Sequence, residues 1–128
     1  MVGGFVGNNS AAKASIENCY TDAYIRSSAN IGGFVGSNTG KIAYSLALGS
    51  IENVDSITTT GAFAFTAVDK CVFVGCLVDS RLGTVNILNG SDSDNVVSYS
   101  TLVLKRYAYA DFDQDVWDVE QGRLPKIK

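Results

Sequence analysis

A five-residue string, Gly3-Gly4-Phe5-Val6-Gly7, returns 29 residues later as Gly32-Gly33-Phe34-Val35-Gly36. A worn third copy, Gly61-Ala62-Phe63-Ala64-Phe65, follows after the same interval. A second pattern runs beside the first: Ile16 to Ile25, Ile42 to Ile51 and Val68 to Leu77 align with starts 26 residues apart. Such a chain is constrained to fold as a stack of equivalent units, because one unit cannot cover its own apolar face. Aligned, the copies give apolar columns Phe5/Phe34/Phe63, Ile16/Ile42/Val68 and Ile25/Ile51/Leu77. They also give small columns, Cys19/Ser45/Cys71 and Ala23/Gly49/Gly75.

Length differences collect between these columns. The first pattern leads the second by 13, 10 and 7 residues (3→16, 32→42, 61→68). The intervening segments, such as Ser27-Ser28-Ala29-Asn30 and Ser37-Asn38-Thr39-Gly40, are small and polar and read as corners. Density in Gly, Ser, Asn, Thr, Val and Ile disfavours helix and suits strands and tight turns. The LxxLxLxxN signature of leucine-rich repeats is absent. The expected fold is therefore all-β: a right-handed parallel β-solenoid (β-helix) of three to four coils with a non-repeating C-terminal cap. The solenoid is expected over residues 1–104 and the cap over 105–128, within one structural domain. Val96 to Leu102 reads as a degenerate fourth coil, with Ser98-Tyr99 answering Cys19-Tyr20, and Asn89 to Asn95 as a turn. The cap carries Trp117, the single Trp of the 128-residue chain.

Composition closes off several chemistries. With no His, the chain has no Ser-His-Asp or Cys-His triad and no HExxH zinc site. A net charge of −3 argues against nucleic acid, which calls for a basic footprint. No segment approaches the ~18 apolar residues of a membrane span. The start shows neither a basic n-region nor an apolar h-region, so the expectation is a piece of a longer exported protein or a leaderless one. Three cysteines cannot close a disulfide framework within one chain, and Cys19 and Cys71 read as small core residues.

Gly3-Gly4-Phe5-Val6-Gly7-Asn8 with Ile16-Glu17-Asn18-Cys19-Tyr20-Thr21 resembles the repeat unit of the GLUG-motif family, and Gly32 to Ile42 repeats the likeness. The stretch Phe112 to Pro125 is similar to the segment that often closes such repeats. The resemblance implies an extracellular β-helical stalk or binding module of bacterial surface and adhesin-like proteins, and no catalytic residue.

Few residues invite chemistry beyond the fold. Asp111, Asp113 and Asp115 alternate like the opening of a calcium loop, and calcium is the one candidate ion. Val116 stands where such a loop needs Gly, and on a strand the three Asp would line a solvated face. Asp92 and Asp94 form a weaker acidic pair. Asp69, Asp79, Lys70 and Arg81 are charges that can gather near one corner, as the acid and base of a lyase or hydrolase would require, and single charges at solenoid corners ordinarily serve solubility. The repeated Gly-Gly-Phe-Val-Gly lacks GxGxxG spacing and a following helix, so its glycines serve turns and close packing. Exposed tyrosines offer an aromatic patch to a glycan or protein.

The functional expectation is a non-enzymatic extracellular binding, adhesion or stalk module, a fragment of a longer surface protein, without cofactor and meeting protein or glycan on a host or cell surface. The alternatives are a leaderless component of a phage tail or fibre, placed in a virion, and a carbohydrate-active β-helix. Gly3 opens the first unit two residues after the start, which leaves Phe5, Val6 and Ile16 at an uncovered edge. That edge is expected to be covered by preceding repeats, a partner subunit or a self-copy.

Overall fold

The computed structural model of the chain describes residues 1–54, 60–67, 71–79, 96–99, 109–120 and 123–128, with the main chain alone for 97–99. Among these residues there is no α-helix and no cis peptide bond. The first passage of the chain runs through β1 (Val2–Gly3), β2 (Val6–Asn9), β3 (Ser15–Glu17) and β4 (Tyr20–Ser27). The second runs through β5 (Ile31–Gly32), β6 (Val35–Asn38), β7 (Lys41–Ala43) and β8 (Leu46–Asn53). The third repeats the order with β9 (Thr60–Gly61), β10 (Ala64–Ala67), β11 (Val72–Val74) and β12 (Cys76–Asp79), and β13 (Val96–Tyr99) begins a fourth. β14 (Trp117–Asp118) and β15 (Lys126–Ile127) form a separate antiparallel pair.

Equivalent strands pair in parallel. The four parallel sheets have the orders β1-β5-β9, β10-β6-β2, β11-β7-β3 and β13-β12-β8-β4. Each passage is thus one coil, and the architecture is β-helix-like. Pairing of Val2 with Ile31 and of Ile31 with Thr60 gives the 29-residue period expected from the first pattern.

The second pattern holds its 26-residue period once and then departs from it. Ile16 pairs with Ile42, as expected, but Ile42 pairs with Phe73 rather than Val68, a shift of five. Leu77 accordingly pairs with Leu46, not with Ile51. Cys76 rather than Cys71 therefore stands in the column of Cys19 and Ser45. Gly75 answers Tyr44 rather than Gly49. Of the five extra residues, three lie at the corner between β8 and β9 (Asn53 to Thr60, against Ser27 to Ile31) and two at the corner between β10 and β11 (Ala67 to Val72, against Asn38 to Lys41), where longer connections leave the ladders intact. Val68 lies outside the described residues. The fourth strand is present as expected, but Val96 pairs with Cys76, so Val97, not Tyr99, continues the Tyr20 column.

The inner core fills the space between the sheets. Phe34, Val35, Ile42, Ala47, Phe63 and Phe73 anchor it, with Ile16 and Cys19 packed against it. The Phe column is a stack of rings: Phe5 to Phe34 measures 5.0 Å at 12°, and Phe34 to Phe63 measures 4.9 Å at 4°. That separation is the ~4.8 Å strand spacing carried into the side chains. A neighbouring ladder is polar: buried Asn9 donates its Nδ2 to Asn38 Oδ1 at 2.7 Å, and Asn38 Nδ2 donates to Gly40 O at 3.0 Å. Gly32 permits the close approach at this corner, since a Cβ there would lie 1.8 Å from Val35 O. Gly3 meets the same obstacle one coil earlier, where Val6 O would be 1.9 Å away.

The C-terminal segment does not sit as an end cap. Tyr109, Phe112, Trp117 and Val119 form a second apolar cluster with Leu46, Leu48 and Leu77, on the outer face of the four-stranded sheet. Trp117 Nε1 donates to Asn18 Oδ1 in the first coil at 3.1 Å. Tyr44 of the second coil meets Phe112 edge to face at 6.0 Å. The segment is a clasp laid across three coils. Apolar outward residues on the sheet, above all Leu46 and Leu48, require it. The boundary expected at 104/105 lies outside the described residues.

Candidate functional site

Most of the motif's chemistry is consumed inside the fold. The turn leading into β4, β8 and β12 places Asn18, Tyr44 and Gly75 in the left-handed region, at φ of 54°, 47° and 57°. The residue that follows each is Cys19, Ser45 or Cys76, and each donates to the carbonyl two residues back. Cys19 Sγ reaches Glu17 O at 3.2 Å, Ser45 Oγ reaches Ala43 O at 2.8 Å and Cys76 Sγ reaches Val74 O at 3.6 Å. Ser45 Oγ also accepts from Cys19 N–H at 3.3 Å, tying adjacent turns together. The column wants a small donor, which explains why Cys and Ser interchange. Burial raises the Cys19 thiol and pushes that of Cys76 up to about 11, so neither is a thiolate nucleophile at neutral pH. Cys71 is half-buried at the corner before β11, and none of the three cysteines is in a disulfide.

The surface is where recognition is available. At the first coil Met1, Phe5, Tyr20 and Tyr24 are all substantially exposed, Tyr24 by 62%. Along the outer face of β4 and β8, the Tyr24 hydroxyl donates to Glu52 Oε2, and Arg26 lies 3.4 Å from Glu52 Oε1. The shared hydrogen bond raises the Tyr24 phenol and, with Arg26, lowers the Glu52 carboxyl. On the β3–β7 sheet, Lys41 Nζ donates to Glu17 Oε1 at 2.6 Å, holding that carboxyl below its ordinary range. The face of β4 and β8 thus joins an exposed aromatic ring to charges of both signs.

The acidic candidates do not converge. Asp111, Asp113 and Asp115 are exposed in a turn at the head of the clasp. There Asp113 Oδ1 accepts from Asp115 N–H at 2.9 Å, and Asp113 O accepts from Val116 and Trp117 N–H. Among the described residues no three His, Cys, Asp or Glu are grouped to hold a metal ion. Asp79 is buried beside Tyr109, whose phenol is raised by burial and by the Asp79 carboxylate. Asp69, Lys70, Arg81, Asp92 and Asp94 lie outside the described residues, as does the turn expected at residues 89–95.

Several structural roles carried little or no signal in the repeat alignment. The Asn9–Asn38 ladder was visible as two Asn 29 residues apart, yet only its burial gives it meaning. Thr21 Oγ1 donates across the interior to Gly4 O at 3.1 Å, tying the fourth sheet to the Gly-Gly corner. The Asn18–Trp117 bond spans 99 residues and leaves no local trace.

Residues 1–23 match the family model described as the GLUG motif. That span covers β1 to the start of β4, one coil up to its fourth strand. It covers the first copy of the unit on which the resemblance rests, Gly3 to Thr21; the second copy, Gly32 to Ile42, and the closing segment, Phe112 to Pro125, lie outside the match. No curated protein and no solved structure matches the chain.

Proposed function

We propose that this chain is a non-enzymatic binding or stalk module of a bacterial surface protein, built as a right-handed parallel β-solenoid. The handedness follows from the rule that parallel crossovers are right-handed in about 98% of cases. The GLUG motif at residues 1–23, a bacterial repeat, supports the placement outside the cell or on its surface. The observation that carries the reading is the fate of the motif's polar residues. Asn9, Asn38, Ser45, Cys19 and Cys76 bond to main chain or to one another across coils. What remains for solvent is the aromatic and charged outer face at Tyr24, Arg26 and Glu52, suited to a protein or glycan. The module needs no cofactor.

A glycan array, followed by incubation of any bound glycan with the protein, tests this reading. Binding that weakens in Tyr24→Ala, with no release of reducing ends, is the expected result. Release of reducing ends would establish a carbohydrate-active enzyme instead.

A further inference from the structure

The inner core and the cluster under the clasp lie on opposite faces of the four-stranded sheet. Along β8, Ala47 and Ile51 pack into the inner core, whereas Leu46 and Leu48 belong to the outer cluster. β12 divides in the same way, with Cys76 and Val78 inward and Leu77 outward. The two-residue period of a strand thus keeps the clasp's contacts apart from those that hold the coils together. The stacked Phe rings, the Asn9–Asn38 bond and the bond from Cys19 N–H to Ser45 join coil to coil without passing through the clasp.

The clasp has a framework of its own. β14 pairs with β15, Phe112 N–H donates to Tyr109 O at 3.0 Å, Trp117 N–H to Asp113 O at 2.8 Å and Lys128 N–H to Val116 O at 2.9 Å. Arg123 adds ion pairs to Asp118 at 2.8 Å and to Glu120 at 3.0 Å. Toward the coils the clasp presents side chains: Phe112 meets Tyr44, Trp117 meets Tyr20 at 6.2 Å, and the indole N–H reaches Asn18. The seat belongs to the coils, where Gly75 makes room for the Tyr44 ring, since a Cβ there would lie 2.8 Å from Tyr44 Cδ1. We infer that the clasp is a strap, lifting from the outer face as one body while the coils beneath stay stacked. Opening of such a unit costs less than unfolding the whole chain, because the ladders and the inner core remain. Lifting bares Leu46, Leu48 and Leu77 as one apolar stripe, together with the aromatic underside of the clasp. The fold thus holds an apolar surface in reserve. This step goes beyond the binding role and does not depend on it.

Hydrogen exchange of the full native chain in low urea tests the inference. The indole N–H of Trp117 bonds across the contact and reports lifting directly. Its protection is expected to be at least about tenfold lower than that of the Phe34, Tyr44 and Leu77 amides, which bond between coils. The fluorescence of Trp117, the single Trp of the chain, should shift to the red at urea concentrations that leave the β-sheet circular dichroism unchanged. Leu48→Asn, on the outer face, should produce the red shift without urea and keep the sheet signal. Coincident fluorescence and circular dichroism transitions, or an indole N–H protected as strongly as the amides between coils, overturn the inference. A Leu48→Asn chain that loses its sheet signal together with its native fluorescence overturns it as well.

Discussion

The turn before each long strand shows how little a position has to specify. A residue at positive φ, then a small donor bonding to the carbonyl two back, suffices, and Asn-Cys, Tyr-Ser and Gly-Cys all satisfy it. Tyr44 tolerates the left-handed region because its ring is held edge-on against Phe112 of the clasp. A cysteine in such a column works as a buried donor, and its acidity records that burial. The Cys76 thiol ionises at about 11 when folded, against an ordinary 9.0. Above pH 9.0 the unfolded chain releases this proton while the folded chain keeps it, so the unfolded state binds fewer protons and stability falls as pH rises. This contribution is complete below 9.0 and lost on passing about 11. Cys76→Ser keeps a donor and removes the titration. Urea unfolding across that interval should show the advantage of the native chain over Cys76→Ser shrinking by on the order of 2 kcal/mol. An advantage independent of pH would contradict the role given to burial.

The clasp is the element that turns a stack of coils into a closed body. Its two-stranded pair fixes Trp117 opposite Ile127, and Phe112 packs against the indole at 5.2 Å. Trp117→Ala should cost about 3–5 kcal/mol, the usual range for emptying a buried aromatic site. Trp117→Phe keeps the ring and loses the bond to Asn18 Oδ1. A double-mutant cycle with Asn18→Gly, which suits the positive φ, should give a coupling of about 1 kcal/mol. No measurable coupling would place the clasp elsewhere than across the first coil. The clasp also marks where the sequence stops being legible. The Phe column, the Ile16–Ile42 pairing and the order of the strands were readable, because a ladder repeats its residues at the coil period. The third coil slipped by five because two lengthened corners change the spacing without changing any ladder residue. Trp117 was expected to close an end because a single non-repeating residue carries no register. Its position follows from the outward Leu46 and Leu48, whose need for cover appears only once the faces of the sheet are known. The acidic turn illustrates the converse: alternating Asp was visible at once, but the turn at Asp113 leaves the three carboxylates exposed and apart from any metal-holding group among the described residues.

For the molecule as a whole, stacking makes each coil the template for the next. Among the described residues, rings, amides and turn donors are therefore shared along the axis. All of this rests on parallel pairing of equivalent strands, including the shifted third coil. Nuclear Overhauser contacts between backbone amides of the perdeuterated chain test it most directly. Cross-coil contacts are predicted to link Ile16 with Ile42, Ile42 with Phe73, and Leu46 with Leu77, each with its immediate neighbours. Contacts joining Ile42 to Val68, or antiparallel contacts between neighbouring strands of these sheets, would contradict it.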